Sequence, residues 1–498
     1  MIIRINGNIK KYYVETLAMM FFPGVRFPEN ESDNTDGLIC TVVSERGDDN
    51  TLTASVELVS GERKETGLSR VRLDEYDSET AEKIAAGDSF LKAGEKLTGI
   101  RPPWGILTGV RPAKIATELL EKGYDVKEAA DAISRTYLTL GPKAELASKV
   151  ALAERKLITD QTREECSVYI GIPFCPTRCA YCSFVSYTSK KLLSLIPEYL
   201  EVLCSDISDL FKLIGDLGKN VASIYIGGGT PTVLDPHQLE KLLSRISLSA
   251  KSSGVCKNIR EFTMEAGRPD TITGEKLKIA SEYGVSRISV NPQTLNDDVL
   301  KIIGRAHSVD DFYRAYETAS KSGINDINID LIAGLPGDSE ESFRNTVDSV
   351  VSLAPTNITV HTFSVKKSSV FRMEERYDAL SPLAGKCIEY SQQKLQCSGY
   401  EPYYMYRQKN TVGNHENVGY SIPGHEGLYN VYMMEEVHSI FSAGASSVTK
   451  FVSAPDEEGN VRIERFFQPK YPYEYLEEHK ETGSRTEKLR KEALAFFS

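Results

Sequence analysis

The chain has 498 residues, with 59 Lys and Arg against 70 Asp and Glu, a formal charge of −11. Hydrophobic residues make up 41% and charged residues 26%, an ordinary globular balance, and the length allows about two to four domains, each with its own core. An acidic chain of this kind does not wrap duplex nucleic acid by broad phosphate neutralisation, so no nucleic-acid partner is expected; a locally basic pocket for an anionic small molecule stays open.

The start, Met1-Ile-Ile-Arg-Ile-Asn-Gly7, lacks the apolar core and cleavage site of a secretory signal. No run of about 18 apolar residues is present, so no stable membrane insertion is expected. The nine cysteines are too few and too scattered for a disulfide scaffold. Cys40, Cys166, Cys204, Cys256, Cys387 and Cys397 stand apart, while Cys175, Cys179 and Cys182 crowd together. A cytoplasmic protein with one special cysteine cluster is the economical expectation.

In chain order, Met1–Ile5, Gly37–Val43 and Thr51–Val59 read as strands, with turns at 47–50 and 60–62. Helical patterns follow at Ala81–Lys92 and Lys114–Lys122, separated by the Pro- and Gly-rich stretch 101–112. Residues 1–160 are therefore expected to form an α+β amino-terminal domain ending in helices. No internal repeat stands out.

From about 165 apolar runs of strand length recur at Val168–Ile172, Ser223–Ile226, Glu261–Met264, Arg287–Val290, Ile327–Ile332 and Ile358–Phe363. Helical patterns separate them at Pro197–Ile214, Pro236–Ser247, Gly274–Tyr283, Ser308–Ser322 and Ser339–Leu353. The alternation predicts right-handed βαβ units and a parallel sheet over 161–365. Periodicity alone leaves a partial (β/α)6 barrel and a doubly wound sheet both open; in either, chemistry collects at the carboxyl ends of the strands. Residues 366–498 read as mixed and mostly helical, with helices near Leu383–Gln396 and Arg485–Phe497.

The first strand of that core runs into Cys175-Pro-Thr-Arg-Cys179-Ala-Tyr-Cys182. Three thiolates on one tight loop suit an iron–sulfur cluster or zinc. Structural zinc wants four ligands, and no second Cys or Cys/His pair lies nearby. The second strand ends in Gly227-Gly228-Gly229-Thr230-Pro-Thr232, whose glycines allow close approach of a ligand or simply a tight turn. Glu265, Gln293 and Asp330 lie in or after successive strands, and Arg305 stands in Gly304-Arg-Ala-His307; singly, each could equally be a cap or an ion-pair partner.

Cys-x3-Cys-x2-Cys followed by Gly-Gly-Gly-Thr-Pro-Thr resembles the radical S-adenosylmethionine enzymes. Tyr169-Ile-Gly-Ile-Pro-Phe-Cys175, Gly284-Val-Ser-Arg-Ile-Ser-Val-Asn-Pro-Gln293, Gly304-Arg-Ala-His307 and Asn328-Ile-Asp-Leu-Ile-Ala-Gly-Leu-Pro-Gly337 narrow the resemblance. Together they resemble the oxygen-independent coproporphyrinogen III oxidase (coproporphyrinogen dehydrogenase) family over roughly residues 165–450. The divergent amino-terminal domain, with Trp104-Gly-Ile-Leu-Thr-Gly-Val-Arg-Pro112, is similar to the long branch found in Gram-positive anaerobes and bacilli.

The resemblance implies a (β/α)6 radical core in which Cys175, Cys179 and Cys182 hold a [4Fe–4S] cluster whose open iron is chelated by S-adenosylmethionine. It assigns Tyr169, Tyr181, Gly228, Gly229, Thr230, Glu265, Gln293, Arg305 and Asp330 as cofactor contacts, and no catalytic residue beyond this set. It further implies a radical enzyme of porphyrin biosynthesis with a tetrapyrrole substrate that residues 366–498 cover, a reducing donor such as flavodoxin or ferredoxin, and a monomeric chain. Its alternative is a haem chaperone, because the family's dehydrogenases carry a further cysteine where this chain has Phe184. Lys366, Lys367, Arg407 and Lys409, beyond the sixth strand, are candidate propionate partners, with a solvated surface as the plainer reading of each. His415, His425 and His438 are loop or core histidines in the plainer reading and axial haem ligands in the sharper one.

Overall fold

The computed structural model describes residues 1–30, 33–34, 36–47, 49–182, 187–364, 380–408, 411–456, 460–482 and 486–497. Two compact units emerge. The first comprises Met1–Leu152, Asp378–Gly385 and Met405–Asn417, and the second Ala153–Tyr377, Lys386–Tyr404 and Val418–Ser498. Both units therefore draw on the stretch 366–498.

In the first unit β1 (Ile2–Asn6), β2 (Leu38–Arg46), β3 (Thr51–Ser60) and β4 (Arg63–Arg72) form a sheet in that spatial order. β1 runs parallel to β2, and the other pairs are antiparallel. The helix Ser78–Thr98, capped by Asp77, packs so closely on β4 that a Cβ at Gly67 would lie 1.9 Å from the Ser89 carbonyl. Val42, Val56 and Leu58 from the sheet meet Leu17, Phe21, Phe90 and Leu97 from two helices in one core. The expected strands and the helix over 81–92 are present; β4 and the helix Lys11–Phe21 are additions. β4 escapes a hydrophobic-alternation reading because its inward positions include Gly67 and Ser69, small residues under a close helix.

The second unit carries the βα rhythm. Its strands are β5 (Cys166–Ile172), β6 (Val221–Gly228), β7 (Glu261–Glu265), β8 (Arg287–Ser289), β9 (Asp326–Ala333) and β10 (Asn357–Thr362). They lie side by side in sequence order and all parallel. A doubly wound sheet reverses its strand order at a switch point; here no reversal occurs. Right-handed crossovers then put the connecting helices on one face. Side-chain caps fix where those helices begin: Asp235 and Ser308 close capping boxes, and Thr273 and Ser339 accept from their third helical residue.

The carboxyl-terminal stretch is mixed, as expected, and adds strands at both ends. β11 (Glu401–Arg407) and β12 (Glu416–Ser421) follow β10, while β13 (Ser439–Ala443), β14 (Val448–Val452) and β15 (Ile463–Phe467) follow β5. β13 is parallel to β5; β12 is antiparallel to β10. The result is an open sheet of eleven strands, with no closed barrel among the described residues. No helix among them is long and apolar enough to cross a membrane.

Strand composition shows what the sheet encloses. A parallel sheet buried equally on both faces reads as continuous hydrophobics. These strands alternate instead: Val168, Ile224, Phe262, Ile288, Ile329 and Ile358 are apolar and buried, whereas Tyr169, Tyr225, Glu265, Asn328, Asp330, Thr359 and His361 share the other face. One face is thus a hydrophobic seat for helices and the other a polar wall.

Candidate functional site

The cysteine loop leaves β5 at its carboxyl end and is tied down from several directions. Tyr187 and Cys175 pair through backbone, with the Cys175 amide donating to the Tyr187 carbonyl at 3.1 Å. The Ala180 amide donates to the Ile303 carbonyl at 2.9 Å. Arg305 donates to the Tyr181 hydroxyl at 2.9 Å and to the carbonyls of Gly267 and Asn291 at 2.9 and 3.2 Å. Arg268, buried at 3% exposure, donates to the Thr177 hydroxyl at 2.7 Å and points an N–H at the Cys179 sulfur at 3.5 Å. Cys175 is buried, its sulfur 3.2 Å from the Thr230 hydroxyl.

The three cysteines share this loop and none of the nine in the chain forms a disulfide. Their side chains are not drawn together: among the described residues no group of three His, Cys, Asp or Glu side chains is placed to hold a metal ion. In kind the donors fit a soft-metal cluster, being three sulfurs with a cation beside one of them.

The glycine triplet serves the loop directly. Gly229 donates its amide to the Ile172 carbonyl at 2.7 Å, and Thr230 donates to the Phe174 carbonyl at 2.8 Å. A Cβ at Gly229 would sit 2.4 Å from the Phe174 carbonyl oxygen; Gly228 adopts φ +112, and a Cβ there would sit 3.1 Å from the Ile172 carbonyl oxygen. These glycines allow two strand ends to touch, a packing duty beside any contact with a cofactor.

Around the polar face, Tyr225 donates to the Glu265 carboxylate at 2.7 Å. Burial pushes Glu265 up to about 7, and the charge of Asp330 adds to this against the opposing Tyr225 and Gly228 hydrogen bonds. Asp330 accepts from Asn291 at 2.8 Å and Asn328 at 2.7 Å, with His361 Nε2 3.8 Å away. Burial works to raise Asp330, but His361, Asn328 and Thr359 together hold it below its ordinary value. Gln293 sits at φ +72, a left-handed conformation rare outside glycine, and pairs by backbone with Asp330 and Ile332. Tyr169 stacks on Tyr225, their ring centroids 6.0 Å apart.

Tyr169, Glu265 and Asp330 thus come together on one face, with Tyr181 and Arg305 paired beside the cysteine loop. Arg305 spends its donors on protein acceptors and acts as a clamp on that loop. Arg268, Tyr225, Asn291, Asn328, His361 and Tyr429 were not anticipated. The alternation Asp326-Ile-Asn328-Ile-Asp330 was the available signal, since polar residues at every second position mark a wall that is not hydrophobic.

The remaining sequence candidates divide sharply. Phe184, Lys366, Lys367 and Lys409 lie outside the described residues. Arg407 is half-buried, its guanidinium donating to the Leu107 and Gly109 carbonyls and lying 5.6 Å over the Trp104 ring. His415 is buried within the first unit, where a Cβ at Gly385 or Gly413 would come within 2.8 Å of its ring; burial pulls it down to about 4. His438 engages Ser167 and the Thr162 carbonyl, each at 2.8 Å, so both ring nitrogens are committed. His425 Nδ1 lies 2.6 Å from the Asp326 carboxylate. The core reading of His415 and His438 therefore holds.

Comparison with known proteins places this architecture. Residues 169–350 match the Radical SAM superfamily. An oxygen-independent coproporphyrinogen-III oxidase-like protein, HemZ, of Bacillus subtilis is 34% identical over 93% of this chain and 92% of its own length. The heme chaperone HemW of the same organism is 32% identical over 56% of this chain and 70% of its own. Among solved structures, Escherichia coli coproporphyrinogen III oxidase is similar over 67% of this chain and 73% of that one, with 20% identity and a TM-score of 0.49. A [4Fe–4S] cluster and S-adenosylmethionine are the cofactors of this superfamily. The near end-to-end match to HemZ decides the finer placement: the chain belongs to the oxygen-independent coproporphyrinogen-III oxidase-like family of radical S-adenosylmethionine proteins.

Proposed function

We propose that this chain catalyses the oxygen-independent oxidative decarboxylation of coproporphyrinogen III to protoporphyrinogen IX. The observation that carries this is the end-to-end kinship with a coproporphyrinogen-III oxidase-like protein. Supporting it is a polar face of the parallel sheet that carries Tyr169, Tyr225, Glu265 and Asp330, in the sheet whose first strand leads into the cysteine loop.

In this reading Cys175, Cys179 and Cys182 hold the cluster, and Tyr169, Tyr181, Gly228, Gly229, Thr230, Glu265, Gln293, Arg305 and Asp330 form the surroundings of S-adenosylmethionine. Bound together, the two cofactors supply hydrogen-atom abstraction. The chain's own part is placement. Carboxylates at Glu265 and Asp330 favour the cationic end of S-adenosylmethionine, and Arg305 and Arg268 hold the cysteine loop in place. Each reacting propionate would give a β-hydrogen atom to the radical chemistry that the bound cofactors supply and then release CO2, passing one electron to a one-electron acceptor and leaving a vinyl group. The electrons that prime the cluster come from a reduced carrier of the flavodoxin or ferredoxin kind.

The test is anaerobic incubation of reconstituted protein with S-adenosylmethionine, a reductant and coproporphyrinogen III, with the vinyl product measured. Its appearance with CO2 is the expected result; S-adenosylmethionine cleavage with no vinyl product overturns the proposal. A second reading, haem delivery, is favoured by the kinship to proteins named heme chaperones. Stoichiometric haem binding without decarboxylation decides for it.

A further inference from the structure

We infer that Tyr225 and Tyr429 are positioning residues that hold the Glu265 carboxylate in the orientation in which it receives S-adenosylmethionine. The inference rests on the reading of Glu265 as a contact to that cofactor; it adds how the carboxylate is aimed, and by a segment from far along the chain.

Glu261 and Glu265 stand four residues apart on β7 and face the same side. Their duties differ. Glu261 accepts from the backbone amides of Leu428 and Tyr429 at 2.7 and 3.2 Å, capping the helix Leu428–Glu435 from outside it. That helix has no side-chain cap of its own at Gly427, so a carboxylate at its first amides is favoured by both hydrogen bonding and the helix dipole. Arg287, 3.5 Å from Glu261, balances the buried charge.

Anchored this way, Tyr429 lies with its ring centroid 4.5 Å from that of Tyr225, the planes 25° apart. Tyr169 closes the group at 6.0 Å from Tyr225 and 6.3 Å from Tyr429. Tyr225 is therefore walled by two other rings, and its hydroxyl meets Glu265 Oε1 at 2.7 Å. Gly227 preserves the space: a Cβ there would approach the Tyr225 ring to 2.8 Å and the Glu265 carboxylate to 3.2 Å. A carboxylate taken out of water and near a second one tends toward its neutral form. A phenol donor opposes that tendency and pins Oε1, with the Gly228 backbone as a second hydrogen-bonding partner of the carboxylate. Tyr225 acts through its hydroxyl and Tyr429 through its ring, which separates them experimentally.

The experiment is calorimetric titration of S-adenosylmethionine into anaerobically reconstituted full-length protein, with iron content and absorbance recorded for each variant. Loss of one hydrogen bond to a charged group predicts about tenfold weaker binding for Tyr225→Phe, with Tyr429→Phe within about twofold of wild type and Tyr429→Leu weakened about fivefold. Glu265→Gln weakens binding, and adding Tyr225→Phe to it costs no more, because both act through one carboxylate. If Glu265→Gln binds as wild type, the cofactor reading of Glu265 and this inference fall together. If Glu265→Gln weakens binding while Tyr225→Phe does not, or the two effects simply add, the positioning inference alone is overturned. Tyr225→Phe conserves the ring, so a normal cluster in that variant excludes misfolding as the cause.

Discussion

Glu416 offers a sharp test of the physical argument for the first unit. Its carboxylate accepts from Lys143 Nζ at 2.5 Å and from Trp104 Nε1 at 2.9 Å, and the two ionic side chains are 3% and 0% exposed. Burial alone would raise the carboxyl; the ammonium of Lys143, His415 and the indole outweigh it and hold Glu416 at about 2, against an ordinary 4.5. At 1.36 kcal/mol per unit, that difference corresponds to about 3 kcal/mol of folding stability. Because the folded value is the lower one, this stability is fully present above pH 4.5 and drains away as pH falls toward 2. Glu416→Gln keeps the volume and an acceptor for the indole but strands the Lys143 ammonium, so the expected loss at pH 7 is about 3–5 kcal/mol. The double variant Lys143→Met/Glu416→Gln should be more stable than Glu416→Gln, since no charge is left unpaired. Trp104 is the sole tryptophan and touches the network, so urea unfolding followed by its fluorescence reads the site directly. A loss below about 1 kcal/mol for Glu416→Gln, or a double variant no better than the single, refutes the buried-pair account.

Other outcomes follow from the second unit. Cys179→Ser should abolish the cluster absorbance after anaerobic reconstitution, while Cys204→Ser, a buried bystander on a helix, should leave it intact; a normal cluster in Cys179→Ser refutes the ligand assignment. Gly229→Ala places a methyl 2.4 Å from the Phe174 carbonyl, and thermal unfolding should show a loss of about 1–3 kcal/mol; an unshifted midpoint means the loop does not need that close approach. S-adenosylmethionine affinity should rise with pH through a midpoint near 7 and level off about one unit above it, as Glu265, facing Tyr225 and the Asp330–His361 pair, loses the proton that burial retains. Glu265→Gln should flatten that rise, and a slope unchanged in this variant assigns the titration elsewhere.

Much of the fold was legible because its signals are local. Apolar strand-length runs separated by amphipathic helices name βα units wherever they occur, and caps such as Asp235 and Ser308 mark where helices start. The helices Ile196–Asp216 and Pro236–Ser252 accordingly begin within one residue of the expected positions. The strands after residue 400 were not legible. β11–β15 are short, and their place at the two edges of the sheet depends on which edges the core leaves open. β13 beside β5 is a parallel pairing of residues more than 270 positions apart, and no local pattern announces it.

The same division runs through the site. The sequence by itself determined the cysteine spacing, the glycine turn and the polar alternation of the strands, since each is a property of a few consecutive residues. It also carried the family resemblance, which the end-to-end match to HemZ sustains. Only tertiary structure decided what the charged and aromatic residues do. Arg407 looks like any surface arginine until Trp104 is seen beneath it, and Glu261 like any strand carboxylate until it caps a helix beginning at Leu428. The physical reason is that a side chain's composition states which bonds it can make, whereas its energy depends on the water it loses and the partners it gains. Those are set when distant segments close on one another.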